Sequence, residues 1–150
     1  MSGWLIQSFL SLAIAIPAWL ILGFFDRNLG ISSNVFAIWY FLGMSISAGL
    51  VVATGSKPLV PSWPMVLVIV VIGIFIGGGA NLLLFKAVTT AQNPGIPIAI
   101  SNTTSIGVIL ITMLLYQWLP QYFQQVKFDF RDFIGVVLTI VGLTIIVIKK

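Results

Sequence analysis

The placement of a few charged residues most constrains what this chain can fold into. Only ten of its 150 residues carry charge, and with a few turn-forming stretches they mark off five apolar windows. A helix needs about 20 apolar residues to cross a hydrocarbon core of roughly 30 Å, and each window is close to that size. The first runs from Trp4 to Phe25 and stops at Asp26-Arg27 and the turn-like residues 28–33. The second, Val35 to Ala53, is closed by Thr54-Gly55-Ser56-Lys57-Pro58 and Pro61. The third opens at Pro64, a good first-turn residue. It continues past Lys86, whose stem can snorkel, until Gln92-Asn93-Pro94-Gly95 breaks it. The fourth runs from Gly95 to Leu119 before Pro120, and the fifth from Phe133 to Ile148 before Lys149-Lys150. The expected fold is an all-α integral membrane protein, one five-helix transmembrane domain with spans near 4–25, 35–53, 64–91, 95–119 and 133–148.

Composition agrees and excludes most other classes. Charged residues make up 7% of the chain and apolar ones 59%, with a mean hydropathy of +1.16. A soluble domain carries roughly a quarter of its residues as charges, so a water-soluble globule, a disordered chain and a nucleic-acid binder are all excluded. No Glu, His or Cys is present. Catalytic triads, zinc sites and disulfide frameworks lack their usual residues, which argues against an enzyme and leaves no catalytic residue, metal site or cofactor to assign. A cleaved signal peptide is rejected, because no Lys or Arg precedes the first window and that window exceeds a usual signal core. The fifth window, 16 residues, is slightly short for a crossing. The stretch before it, 117–132, alternates aromatics with amides and charges, as a segment at headgroup level does.

Five crossings put the two ends on opposite sides. One side then receives Lys57, Lys127, Arg131 and the terminal amine, the other Arg27, Lys86, Lys149 and Lys150. Lys and Arg bias sets orientation, and a four-to-four balance gives weak instructions. Either local effects of helix insertion fix one orientation, or the chain inserts both ways and pairs with an inverted copy. The second arrangement is the two-fold one of inverted-repeat transporters, which bind solute near the midplane.

Polar residues within the windows are the candidate site. Gly73, Gly77 and Asn81 recur every four residues and share one helix face. They form either a packing seam or a groove ending in an amide. Ser101-Asn102-Thr103-Thr104-Ser105 spans more than a turn near mid-membrane. Its hydroxyls can bond back to preceding carbonyls, and Asn102 cannot hide in that way. The run serves either interhelical hydrogen bonds or a wet cavity for a polar or zwitterionic solute. Substrate-path candidates are Asn81, Ser101, Asn102, Thr103 and Ser105, with Trp19 and Tyr40 as possible cavity walls or interfacial anchors. Lys86, near the N-terminal end of the fourth helix, is either a topology residue or a group favouring an anion. Pro17 allows a kink in the first helix. No carboxylate lies inside a window, so a proton-coupled carrier lacks its usual residue. Asp26 beside Arg27 reads most simply as an interfacial ion pair.

Three segments carry a family resemblance: residues 80–87 (ANLLLFKA), 97–102 (PIAISN) and 135–142 (GVVLTIVG), with Pro17-Ala18-Trp19 as a weaker match. On these the chain resembles a half-length, five-helix member of the EamA-like family of the drug/metabolite transporter superfamily. Full-length relatives have ten helices in two inverted halves. The resemblance implies transport of a small metabolite without enzymatic activity, in the cell (inner) membrane, with an inverted homodimer or a paralogous five-helix partner. Where such families often have Leu-Gly-Glu, this chain has Leu115-Tyr116-Gln117. Small multidrug resistance proteins are similar in size, but they have four helices and an essential glutamate in the first, which here is uncharged. A non-transporting membrane subunit and a lipid-linked headgroup flippase are the other functions open to such a chain.

Overall fold

A computed structural model describes residues 3–55, 61–123 and 125–148. Among them no strand occurs, and five helical stretches of 27, 21, 28, 24 and 19 residues are long and apolar enough to cross a membrane. The chain is a multi-pass membrane protein. Helix α1 spans Gly3–Leu29, α2 Ser33–Ala53, α3 Trp63–Ile72 and α4 Gly79–Thr90; α5 spans Gly95–Asn102, α6 Thr104–Trp118 and α7 Phe130–Ile148. A π-helical turn, Gly73–Gly78, joins α3 to α4 within the third crossing. The fourth crossing is α5 and α6 together. Contacts divide the helices into two compact units, residues 1–94 and 95–150.

The spans fall where charge spacing puts them, and they differ at their ends for local reasons. α1 does not stop at Asp26. It carries both charges in its last turn and ends at Gly30, whose φ of 64° is the left-handed conformation that glycine adopts at no steric cost. The Ile31 amide then reaches back to the Phe25 carbonyl at 3.1 Å. Arg27 makes no ion pair with Asp26 among the described residues. Its Nη2 donates to the carbonyl of Ala91 at 3.1 Å, just past the end of α4, where helix carbonyls lack amide partners and the dipole favours a cation. α3 starts with Pro64 in its first turn, as the sequence predicts. Lys57, Lys149 and Lys150, which enter the charge balance, lie outside the described residues.

α7 begins three residues earlier than the apolar window. Asp129 Oδ1 accepts from the amides of Arg131 (2.8 Å) and Asp132 (2.9 Å), while Asp132 Oδ2 accepts from the Asp129 amide at 3.0 Å. This is a reciprocal capping box, with both carboxylates at the positive end of the helix. Nineteen residues at 1.5 Å each give about 28 Å, enough for the hydrocarbon core.

Unit 1 has the only buried side chains among the described residues: Leu22 on α1, Ser33 and Ala37 on α2, Phe85 and Val88 on α4. α4 packs against both α1 and α2, and Asn81, Phe85 and Val88 lie on one face of it at steps of four and three. In unit 2, α5 packs against α6 and α7.

Replacing Asp129 by Ala removes an acceptor for two amides and should cost about 1 kcal/mol. Thermal unfolding in detergent micelles should show a lower midpoint, with faster amide exchange at Arg131 and Asp132. Asp129→Asn, which keeps an acceptor oxygen, should retain most of the stability.

Candidate functional site

Two of the five crossings are interrupted part-way along; Gly73, Gly77, Asn81 and the polar run 101–105 lie at or beside those interruptions, whereas Trp19, Tyr40 and Lys86 lie elsewhere. In unit 1 the interruption is the π turn of sequence Gly-Ile-Phe-Ile-Gly-Gly. A π turn closes i→i+5 instead of i→i+4 and inserts one residue into the helix. The spacing of four that aligns Gly73, Gly77 and Asn81 in an α-helix is therefore broken between Gly73 and Gly77 and holds between Gly77 and Asn81. The Asn81 Nδ2 donates to the Gly77 carbonyl at 2.8 Å in a half-buried position. A methyl group built at Gly73 or Gly77 meets nothing within 4 Å, so neither seats a neighbouring helix among the described residues. Gly78 differs. A methyl there would lie 3.3 Å from the Gly73 carbonyl, the residue five positions back.

Four residues beyond Asn81, Phe85 is 3% exposed and forms the hub of an aromatic cluster. Its ring centroid lies 5.7 Å from Trp19 (edge-on), 6.1 Å from Phe36, 5.8 Å from Tyr40 and 5.8 Å from Phe41, the last stacked. Tyr40 also stacks on Phe36 at 5.5 Å. The structure thus brings Trp19 and Tyr40 together through a residue that sequence reasoning did not select. Its signal was present, because Phe85 continues the Asn81 face by one helical turn. Neither the Trp19 indole N–H nor the Tyr40 hydroxyl has a hydrogen-bond partner among the described residues, and Tyr40 is 36% exposed.

Two spaces adjoin the cluster. A void of about 10 Å³ lies between Ala18, Trp19, Leu22, Phe36, Tyr40 and Phe85. That is close to the minimum for a single water and too small for a solute while Phe85 fills the centre. An open cleft of about 360 Å³ is lined by Phe25, Ile31, Val35, Phe36, Trp39 and Tyr40. This is the size of a small-molecule site, with an almost wholly apolar wall. Lys86, one residue past Phe85, takes no part in the cluster's ring contacts. It is exposed, and its ammonium has no partner among the described residues.

In unit 2 the interruption is at Thr103, between α5 and α6. The Thr103 amide bonds to the Ile100 carbonyl at 3.1 Å and the Ile106 amide to the Thr103 carbonyl at 3.0 Å. These are i→i−3 bonds, a tight 3₁₀ step that marks hinges when it occurs within a helix. The polar run sits on this step. Thr103 Oγ1 donates to Ile100 O (2.6 Å), Thr104 Oγ1 to Ser101 O (2.6 Å) and Ser105 Oγ to Asn102 O (2.9 Å). The hydroxyls thus cover carbonyls of the break. The exposed Asn102 side-chain amide has no hydrogen-bond partner among the described residues. Ser101 is half-buried, its carbonyl taken by Thr104.

Among the described residues no group of His, Cys, Asp or Glu is arranged to hold a metal ion. Comparison with family models, curated proteins and solved structures yields no match for this chain.

Phe85→Ala removes four ring contacts, each worth about 0.5–1.5 kcal/mol. It should destabilise the protein by about 2 kcal/mol or more and enlarge the void beside Trp19. Denaturant titration in micelles checks the first effect. A change in tryptophan emission, absent in Phe85→Tyr, checks the second.

Proposed function

We propose that this protein is a secondary transporter subunit of the EamA-like type. In this reading it resides in the cell (inner) membrane and moves a small polar or amphipathic metabolite by alternating access, as an inverted dimer or with a paralogous five-helix partner. The observation that carries the reading is the pair of part-way interruptions, one glycine-rich and one polar, in a chain of five apolar helices. Discontinuous membrane helices are tolerated where they line a cavity, and in secondary transporters they form the solute site. Asn81 follows the interruption in unit 1, and Ser101, Asn102, Thr103 and Ser105 surround the one in unit 2; each set supplies hydrogen-bonding groups without charge, suited to a polar or zwitterionic solute. Trp19 and Tyr40 add an unpaired donor each on an apolar wall, which suits an amphipathic one. Lys86 favours an anionic group on that solute.

A second reading is a non-transporting subunit that packs against a partner. The open Gly73 and Gly77 positions favour it, because such small residues let another helix backbone approach closely.

The deciding experiment is flux of a radiolabelled amino-acid mixture into proteoliposomes. Uptake above protein-free vesicles is expected. Asn102→Leu, which deletes an amide worth about 1–2 kcal/mol of hydrogen bonding to solute, should lower it about tenfold at equal protein. A flux unchanged by Asn102→Leu and Asn81→Leu removes both residues from the route. No flux from the protein alone, with a stable complex formed with another membrane protein, supports the partner reading. Dual-side labelling of the C-terminus tests the inverted dimer: reporters on both faces are expected, and a single face overturns it.

A further inference from the structure

We propose that the π turn at Gly73–Gly78 is a register switch that draws Phe85 out of the aromatic cluster when the turn relaxes to α-helical geometry. The inference rests on the transport reading for its purpose, and on the geometry of unit 1 for its mechanism.

A π turn holds one residue more than the α-helical turn it replaces. Relaxing it advances the following helix by one register step, about 100° of rotation and 1.5 Å of rise. Applied to α4, that step turns the face carrying Asn81, Phe85 and Val88 away from α1 and α2 and brings Leu84 toward the place of Phe85. A branched aliphatic side chain then stands where a ring met Trp19, Phe36, Tyr40 and Phe41.

Four observations place the switch here. The turn lies near the middle of its crossing, between two α-helical segments. Gly73, Gly77 and Gly79 have open space around them, so rotation meets no side chain of the turn. Asn81 Nδ2 holds the Gly77 carbonyl, which in an uninterrupted α-helix is the acceptor for the backbone amide of Asn81 itself. A donor is therefore at hand for that oxygen in either geometry. Beyond Thr90 the chain at Ala91 is already extended and can absorb the step. The consequence is a change in the size of one cavity. Phe85 lines the small void with Trp19, Phe36 and Tyr40, so withdrawing the ring enlarges that void from the volume of a single water to that of a side chain.

The test places para-fluorophenylalanine at position 85 of the full chain in nanodiscs and reads its fluorine resonance without solute. Inside the cluster, ring currents from four neighbours displace that resonance. Gly78→Ala puts a methyl 3.3 Å from the Gly73 carbonyl in the π arrangement and should move intensity toward the undisplaced position. Gly79→Ala makes the same change in helix propensity where a methyl meets nothing within 4 Å, and should leave the resonance in place. Deleting Ile76 removes the extra residue outright. It should keep Phe85 in the cluster, alone and in combination with Gly78→Ala. An unmoved resonance in folded Gly78→Ala, an equal shift in Gly79→Ala, or loss of the cluster signal on deleting Ile76 overturns the switch. If Gly78→Ala fails to fold, the deletion variant alone decides. Because the readout needs no solute, it stands apart from the flux measurement. A moving resonance in a protein without flux leaves the switch and removes the transport reading.

Discussion

Hydrocarbon offers no water to satisfy a backbone amide or carbonyl, and each one left unpaired costs several kcal/mol. The rest of this structure answers to that constraint. A chain made only of unbroken helices meets it trivially; this chain interrupts two of its crossings and tends the groups set free. At Thr103 the hydroxyls of Thr103, Thr104 and Ser105 cover three carbonyls. At the π turn the Asn81 amide covers Gly77. At helix ends Arg27 covers Ala91, and Asp129 with Asp132 close the start of α7. The polar residues that stand out in so apolar a sequence are mostly found beside a carbonyl or amide that an ideal helix would have satisfied by itself. Gln7, Ser11, Ser47, Ser101 and Asn102 make no such side-chain bond among the described residues, and of these Asn102 offers both an amide donor and an acceptor at an interruption, so it carries most of the functional argument.

Packing in unit 1 follows from the same solvent. Lipid tails are as apolar as leucine, so burying leucine against leucine gains little, and shape and ring geometry count for more. Phe85 meets four rings from α1 and α2 in edge-on and stacked arrangements that their quadrupoles favour. The aromatic hub, rather than a large aliphatic core, orients α4 against its neighbours.

The crossings were legible in the sequence because charge is so scarce that the few charged residues, together with the prolines, punctuate it. Their count and rough bounds follow from Asp26-Arg27, Pro64, Pro94 and Pro120 alone. The ends were less legible. Asp129 and Asp132 read as loop charges, yet their spacing of three is that of a capping box, and it lengthens α7 by a turn. The interruptions were hidden more deeply. Gly73, Gly77 and Asn81 look like one face only if the helix keeps 3.6 residues per turn, and nothing in Gly-Ile-Phe-Ile-Gly-Gly announces the extra residue. The polar run at 101–105 was visible, and so was the tendency of hydroxyls to bond backward; that the helix steps tightly at Thr103 was not. Phe85 was read as part of a motif and not as a hub, because its ring contacts with α1 and α2 join residues more than 40 positions apart.

The capped start of α7 bears on the lipid as well as on the helix. Two carboxylates and the Arg131 guanidinium anchor Phe130 at the water boundary, and the apolar stretch runs only to Ile148. The first, third and fourth crossings, of 27, 28 and 24 residues, have length to spare and can tilt to suit a thinner bilayer, whereas α7, the shortest at 19, has no slack for a thicker one. Where a membrane exceeds its reach, thinning of the lipid, snorkelling of flanking residues or self-association makes up the difference. The shortest span is thereby the one most sensitive to the thickness of the bilayer.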